Sequence, residues 1–278
     1  MNINIGSENS TFFSYEFKEI LNDIHHENKK VVLFLDIDGT LAEFKNDPSE
    51  CYIPEDTLNL IRNIQKHIVV AAITGRDLFS AKKLFKQINL PIAALHGLVI
   101  YLNDEKKFIK HSDGELFQRI NTFLNQQVKA YPELNIENKQ HAIALHYRKC
   151  PQLKQTAWDI MRHLQEHFNQ LKLITGKYVY ELVWKDIDKG QAIAEISALL
   201  KLENHLLIFI GDDRTDEDGF QYINSVNGIS IKVGMGATKA TYTLKDIAQV
   251  TVFLKNLSHS LSHSLNDHGI KEFGEEHV

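Results

Sequence analysis

The sequence predicts an α/β protein, a Rossmann-like, doubly wound parallel sheet interrupted by an inserted α+β domain. Three observations predict it. Apolar runs of strand length stand at Val31–Leu35, His67–Ile73 and Leu206–Ile210, each ending in polar residues, and such unbroken runs are typical of strands buried on both faces. Helical patterns separate them at the pace of βαβ units. Between residues 108 and 186 this alternation gives way to helix, two strands, helix, two strands.

Composition narrows the class. With 278 residues the chain can form one large domain or two ordinary ones. A hydrophobic content of 43% and a charged content of 24% are those of a globular protein. The net charge of −5 argues against a nucleic-acid partner. Cys51 and Cys150 lie far apart, with no His or Cys at metal spacing, so unpaired thiols in a reducing compartment are expected. Residues Met1–Ser14 are polar and no apolar run reaches the length of a membrane span, so neither secretory signal nor membrane is expected. A cytoplasmic monomer is the reading.

Taken in order, residues 1–29 form a lead-in whose helix, Phe13–His25, is amphipathic. Val31–Leu35 is the central strand, and Glu43–Tyr52 is a loop. Pro54 opens a helix, as proline does well in a first turn. The strand His67–Ile73, the helix Asp77–Gln87 and the strand Pro91–Leu95 continue the parallel pattern, and Leu98–Lys110 reads as a hairpin. The inserted domain, 108–186, holds helices at Leu116–Tyr131 and from Pro151, with strand pairs Leu134–Lys139 and His141–Arg148, then Leu171–Thr175 and Tyr178–Trp184. The first pattern resumes with the helix Lys189–Leu200, the strand Leu206–Ile210, the helix Thr215–Ile223, the strand Gly228–Val233 and the helix Leu244–Leu257. Residues 30–107 and 187–257 thus make one core, and 258–278 read as a flexible tail.

Four clusters carry chemistry: Asp36-Ile37-Asp38, Thr74-Gly75-Arg76, Lys189 and Gly211-Asp212-Asp213. Each has a dull explanation alone: a surface turn for the acids, an N-cap for Thr74 or Asp213, a surface ion pair for Arg76. A calcium-binding loop fits Asp36-Ile37-Asp38-Gly39 only at its start, because a strand precedes it and no second acid follows at the right offset. Together the clusters are explained better by the sheet, which brings the ends of its parallel strands to one edge, where ligands bind. Acids for a hard cation, a hydroxyl and a lysine would then surround one small anion.

The order Asp36-Ile37-Asp38-Gly39-Thr40, Thr74, Lys189 and Gly211-Asp212-Asp213 resembles the haloacid dehalogenase-like (HAD) superfamily, whose usual activity is Mg²⁺-dependent phosphoryl transfer through an aspartyl-phosphate. With His96-Gly97, His146-Tyr147-Arg148, Glu181 to Gly190, and Arg214-Thr215-Asp216-Glu217 added, residues 30 to 257 look like a trehalose-6-phosphate phosphatase. Thr74 stands where that family often has Ser, and Leu182-Val183-Trp184 where it often continues Leu/Val-Arg-Pro.

The resemblance implies a set of roles. Asp36 is the nucleophile, Asp38 the general acid and then base. Thr74 and Lys189 bind the phosphoryl group, and Gly75 and Arg76 help hold the substrate. Mg²⁺ is held by Asp36, the Asp38 main-chain carbonyl and Asp212, with Asp213 and Asp216 orienting its waters. The inserted domain is a cap whose Lys139, His146, Arg148, Lys177 and Glu181 hold glucose hydroxyls. The substrate implied is trehalose 6-phosphate. Phosphatases of sucrose or mannosylglycerate phosphate, a phosphomutase, and a non-catalytic regulatory domain are the alternatives, the last opposed by the intact Asp36, Asp38, Lys189 and Asp212.

Overall fold

The computed structural model describes residues 19–20, 22–24, 27, 29–45, 47, 50–104, 106–109, 114–139 and 142–268. At its centre is β1 (Val31–Leu35), all of whose residues are buried. It pairs in parallel with β10 (Leu206–Gly211) on one side and β2 (Val69–Ile73) on the other. The eight-stranded sheet runs β12-β11-β10-β1-β2-β3-β4-β5, with β3 (Ile92–Ala94), β4 (Val99–Asn103), β5 (Lys106–Ile109), β11 (Ile229–Val233) and β12 (Tyr242–Leu244). Strands β12 to β3 are parallel to their neighbours, and the β4–β5 hairpin closes one edge antiparallel.

The period-two alternation of β1 explains its continuous apolar run. Val31, Leu33 and Leu35 join one hydrophobic cluster, while Val32 and Phe34 join another on the opposite face. The first cluster includes Leu58 and Ile61 of α1 (Glu55–Ile64) and Phe253 of α7 (Ile247–His268). The second takes Ile193 and Ile196 of α5 (Lys189–Leu199) and Phe220 and Ile223 of α6 (Glu217–Ser225). α2 (Leu78–Phe85) follows β2, with Asp77 capping it by accepting from the Ser80 amide at 2.9 Å.

The inserted segment folds as a four-stranded antiparallel sheet, β6-β7-β9-β8, with α3 (Gly114–Gln127) and α4 (Lys154–His167). Its strands are β6 (Asn135–Asn138), β7 (Ile143–His146), β8 (Leu171–Gly176) and β9 (Val179–Trp184). Alternation again decides what faces where. Ile136, Ile143, Leu145, Tyr180 and Leu182 pack in a cluster with Phe117, Ile120 and Met161 of the helices. Glu137, Ala144, Glu181 and Ile174 form one cross-strand row on the opposite face. That polar face is turned to the core.

Three sequence expectations meet a different structure. The last helix does not begin at Leu244, which ends β12, but at Ile247, where Asp246 accepts from the Gln249 amide at 3.0 Å. It also does not stop at Leu257. It runs to His268, because Val250, Phe253, Leu254, Leu257 and Leu261 continue an apolar stripe against the core. The tail read as flexible from Ser258 is therefore helical as far as His268, and residues 269–278 lie outside the described set. The lead-in helix Phe13–His25 lies mostly outside it too. Its described part, residues 19–20 and 22–24, is helical, with Ile20 and Ile24 buried.

Candidate active site

The chain leaves β1, builds the sheet outward on one side, inserts the second unit, and returns through β10 on the other side of β1. The junction of β1 and β10 is thus the point where the winding reverses, and the loops beyond it diverge to leave a crevice. Asp36 follows β1 there, its amide donating to the Ile210 carbonyl at 2.9 Å, and Asp212 follows β10. Gly39 adopts φ 86°, and a Cβ at that position would run into the Asp212 carboxylate. The Asp36-Ile37-Asp38 turn can therefore lie against Asp212 only with glycine in this place.

Lys189, the first residue of α5, is buried and reaches down to both strand ends. Its Nζ donates to Asp36 Oδ1 at 2.7 Å and to Asp216 Oδ1 at 2.5 Å. Asp216 is fully buried, and its Oδ2 accepts from the Asp212 and Asp213 amides at 2.9 and 2.8 Å. Both oxygens of Asp216 are therefore committed within the protein. Asp213 caps the same turn, accepting from the Arg214 amide.

Three carboxylates crowd around one lysine. Oxygens of Asp36, Asp212 and Asp216 lie within 4.8 Å of one another. Among the described residues Lys189 is the only cation touching those carboxylates. Burial pushes Asp36 well above its ordinary value, with Lys189 opposing and Asp216 and Asp212 adding to the rise. Burial, and then the Asp216 charge, push Asp212 up to about 7. Lys189 shows the converse: burial works against its charge, but Asp216 and Asp36 outweigh burial and hold it well above the usual ammonium range. Asp212 Oδ1 is buried without a hydrogen-bond partner. A hard cation beside Asp36 and Asp212 would satisfy that oxygen and relieve the repulsion, so the residues fit a metal site.

Asp38 is gripped by Arg76, whose Nε donates to Asp38 Oδ2 and whose Nη2 donates to Oδ1, both at 2.6 Å. The Cys51 thiol adds a weak donor to Asp38 Oδ1 at 3.4 Å, and burial, followed by the Asp38 charge, pushes that thiol up to about 11. Both cysteines are free thiols, as expected. Thr74 is buried at the end of β2, and its Oγ1 accepts from the Arg76 amide at 3.1 Å.

The cap reaches the core through its polar face. Glu181 Oε1 accepts from Lys139 Nζ at 2.8 Å, and its Oε2 lies 3.3 Å from His96 Nε2 on the core. Lys139 also donates to the Gly75 carbonyl at 3.3 Å. Burial alone would raise the Glu181 carboxyl, but Lys139 and His96 together hold it well below the usual carboxylate range. His146 pairs with Glu137 at 2.8 Å, and Arg148 donates to the Lys45 carbonyl at 2.8 Å. Lys177, in the turn between β8 and β9, lies over the Phe44 ring.

A cavity of about 250 Å³ joins these groups, lined by Asp36, Asp38, Thr74, Lys189 and Asp212 below and by Lys139, His146, Arg148, Lys177 and Glu181 above. Gly75, Arg76 and Asp213 line it as well, whereas Asp216 lies behind it. Sequence reasoning passed over Phe44, Glu137 and the contact of His96 with the cap. Glu137 had a signal, since it stands two residues before Lys139 and so shares its strand face. Phe44 had none, being one aromatic in an irregular loop.

A buried carboxylate at the winding reversal of a parallel sheet, with a lysine beside it and an inserted domain above, is the fold of haloacid dehalogenase-like hydrolases. One such hydrolase from Bacteroides thetaiotaomicron shares this fold, with a TM-score of 0.59 over 85% of this chain and all of that one, at 15% identity. The chain belongs to the trehalose-phosphatase family, whose model matches residues 34–248. It is 31% identical over 245 residues to trehalose-6-phosphate phosphatase of Escherichia coli (strain K12), covering 87% of this chain and 92% of that enzyme. The C-terminal domain of C. albicans trehalose-6-phosphate phosphatase has the same fold, with a TM-score of 0.77 over 87% of this chain and 96% of the other at 21% identity. As a trehalose-phosphatase it is a phosphoric monoester hydrolase.

Proposed function

We propose that the chain hydrolyses trehalose 6-phosphate to trehalose and phosphate, with Asp36 as nucleophile and Asp38 as acid and base. The observation that carries this reading is Lys189, buried and bonded at once to Asp36 and Asp216 beneath the polar face of the cap. In the first step a bond forms between an Asp36 oxygen and phosphorus while the bond from phosphorus to the sugar oxygen breaks. Asp38 gives its proton to that departing oxygen. In the second step Asp38 takes a proton from water, the water oxygen bonds to phosphorus, and the Asp36–phosphorus bond breaks. Thr74 donates its hydroxyl to a phosphoryl oxygen, and Lys189 neutralises charge on the nucleophile and the phosphoryl group.

Mg²⁺ would be held by Asp36, Asp212 and the Asp38 main-chain carbonyl, supplying positive charge against the phosphate dianion. Asp216, with both oxygens engaged, positions Lys189 and the Asp212–Asp213 backbone, and Asp213 orients what binds beside it. Room for a disaccharide comes from a second cavity of about 590 Å³ that shares Glu137, His146 and Arg148 with the first. Lys139, Lys177 and Glu181 in the first cavity, and His146 and Arg148 where the two cavities meet, face the sugar hydroxyls, since charged groups match groups that both donate and accept. The same reading has the enzyme act as a monomer in the cytoplasm. Among the described residues no helix is long and apolar enough to cross a membrane.

Phosphate release is measured for trehalose 6-phosphate, glucose 6-phosphate, sucrose 6-phosphate and mannosylglycerate phosphate, with wild type and Asp36→Asn. The expected result is a preference for trehalose 6-phosphate and no turnover by the variant. A preference for another sugar phosphate overturns the substrate, and turnover by Asp36→Asn overturns the nucleophile.

A further inference from the structure

Two cations of the cap converge on one aromatic ring of the core. The Arg148 guanidinium lies 4.3 Å from the centroid of the Phe44 ring, and Lys177 Nζ lies 4.5 Å from it. Phe44 belongs to the loop after the Asp36-Ile37-Asp38 turn, whereas Arg148 follows β7 and Lys177 forms the β8–β9 turn. Arg148 also donates to the carbonyl of Lys45, the next residue of that loop. Lys177 has no carboxylate or hydrogen-bond partner among the described residues, and the ring is what it meets.

We propose that Phe44 is a specificity-determining positioning residue, whose ring sets Arg148 and Lys177 over the sugar end of the cavity. Two like charges drawn to one place repel each other and favour open solvent. The negative face of an aromatic ring offsets that repulsion without an anion that would compete for the ligand. A carboxylate in place of Phe44 would neutralise both cations and bind them too well for a neutral sugar to displace. The ring instead takes up no N–H group of Lys177 and restricts where both cations move, which lowers the ordering cost on binding. Phe44 touches neither Asp36 nor Asp38 by any hydrogen bond, so its effect is on recognition and cap placement.

This inference rests on the disaccharide reading, and its test separates the two. Phe44→Leu keeps an apolar side chain and removes the π face, and Phe44→Tyr keeps the face. Amide hydrogen exchange of the metal-loaded enzyme without substrate is followed at residues 176–178, and kcat and KM are measured for trehalose 6-phosphate and p-nitrophenyl phosphate. In Phe44→Leu exchange at the turn should quicken. KM for the disaccharide should rise about tenfold, the order expected for losing two partly exposed cation–π contacts, with a smaller change in kcat. The ratio of the two specificity constants should narrow accordingly, and Phe44→Tyr should restore exchange, KM and ratio. An unchanged ratio in Phe44→Leu, or a Phe44→Tyr enzyme as impaired as Phe44→Leu, overturns the proposal. A wild-type enzyme without preference for trehalose 6-phosphate overturns the substrate reading instead, and quickened exchange in Phe44→Leu would then still report the cap contact.

Discussion

Arg76 holds Asp38 through two parallel hydrogen bonds, Nε to Oδ2 and Nη2 to Oδ1, each 2.6 Å long. The fork fixes both the position and the plane of the carboxylate, which a single contact cannot do. In the reading above Asp38 must lose one of these bonds before it can present a proton to the leaving oxygen. Arg76 therefore orients the acid at rest and must yield during turnover.

Arg76→Lys keeps the charge and loses the fork. The expected outcome is a fall in kcat on trehalose 6-phosphate of about 10²-fold, the low end of what a general acid contributes. p-Nitrophenyl phosphate, whose leaving group departs without a proton, should suffer less. Steady-state kinetics on both substrates check this, and equal losses would mean that Arg76 acts on the phosphate itself.

Lys189→Met removes the ammonium that lies between Asp36 and Asp216. Breaking a buried pair leaves uncompensated charge, so the metal-free protein should lose about 3–5 kcal/mol of stability at neutral pH and all measurable turnover. Urea denaturation with and without Mg²⁺ gives the measurement. A divalent cation binding the crowded acids should recover part of the loss, because ligand that favours the native state stabilises it.

Glu181 links pH to the contact between cap and core. Its folded value is depressed, so the stabilisation it gives is present above its unfolded value of about 4.3 and is lost progressively as pH falls towards the folded one. Glu181→Gln cannot show this dependence. The stability gap between wild type and variant should shrink as pH falls below about 4. A gap that holds constant into strong acid would show that the carboxylate charge is not what binds Lys139 and His96.

Removing the metal gives the fourth test. EDTA should abolish hydrolysis and lower the melting temperature at pH 8, where Lys189 alone does not offset the charge of Asp36, Asp212 and Asp216. Added Mg²⁺ should restore both, and vanadate, which imitates the phosphoryl group, should inhibit the restored enzyme. Full activity after exhaustive chelation would rule out a metal at these acids.

Much of this was legible in the sequence because it is written in local periodicity. Five apolar residues in β1 announce burial on both faces, and the same alternation assigns Glu137, Lys139 and Glu181 to one face of the inserted sheet. The polar residues ending β1, β2 and β10, with Lys189 at a helix start, mark an active site once a parallel sheet gathers the ends of its strands. The fold class, the family and the core acids follow from those patterns and the resemblance they carry.

Other features depend on distance in space, which local pattern does not encode. That Arg76 would grip Asp38, and that His96 would meet Glu181, follows only when loops far apart in sequence converge. Phe44 carried no signal, since an aromatic in an irregular loop acquires its meaning from the two cations that approach it. The last helix shows the same limit, because Ser and His residues near its end look loose until Leu257 and Leu261 are seen against the core. Local pattern determined which residues face inward and where the chemistry stands. The packing of distant segments decided which charged groups pair, and so how the acids, the lysine and the cap are held.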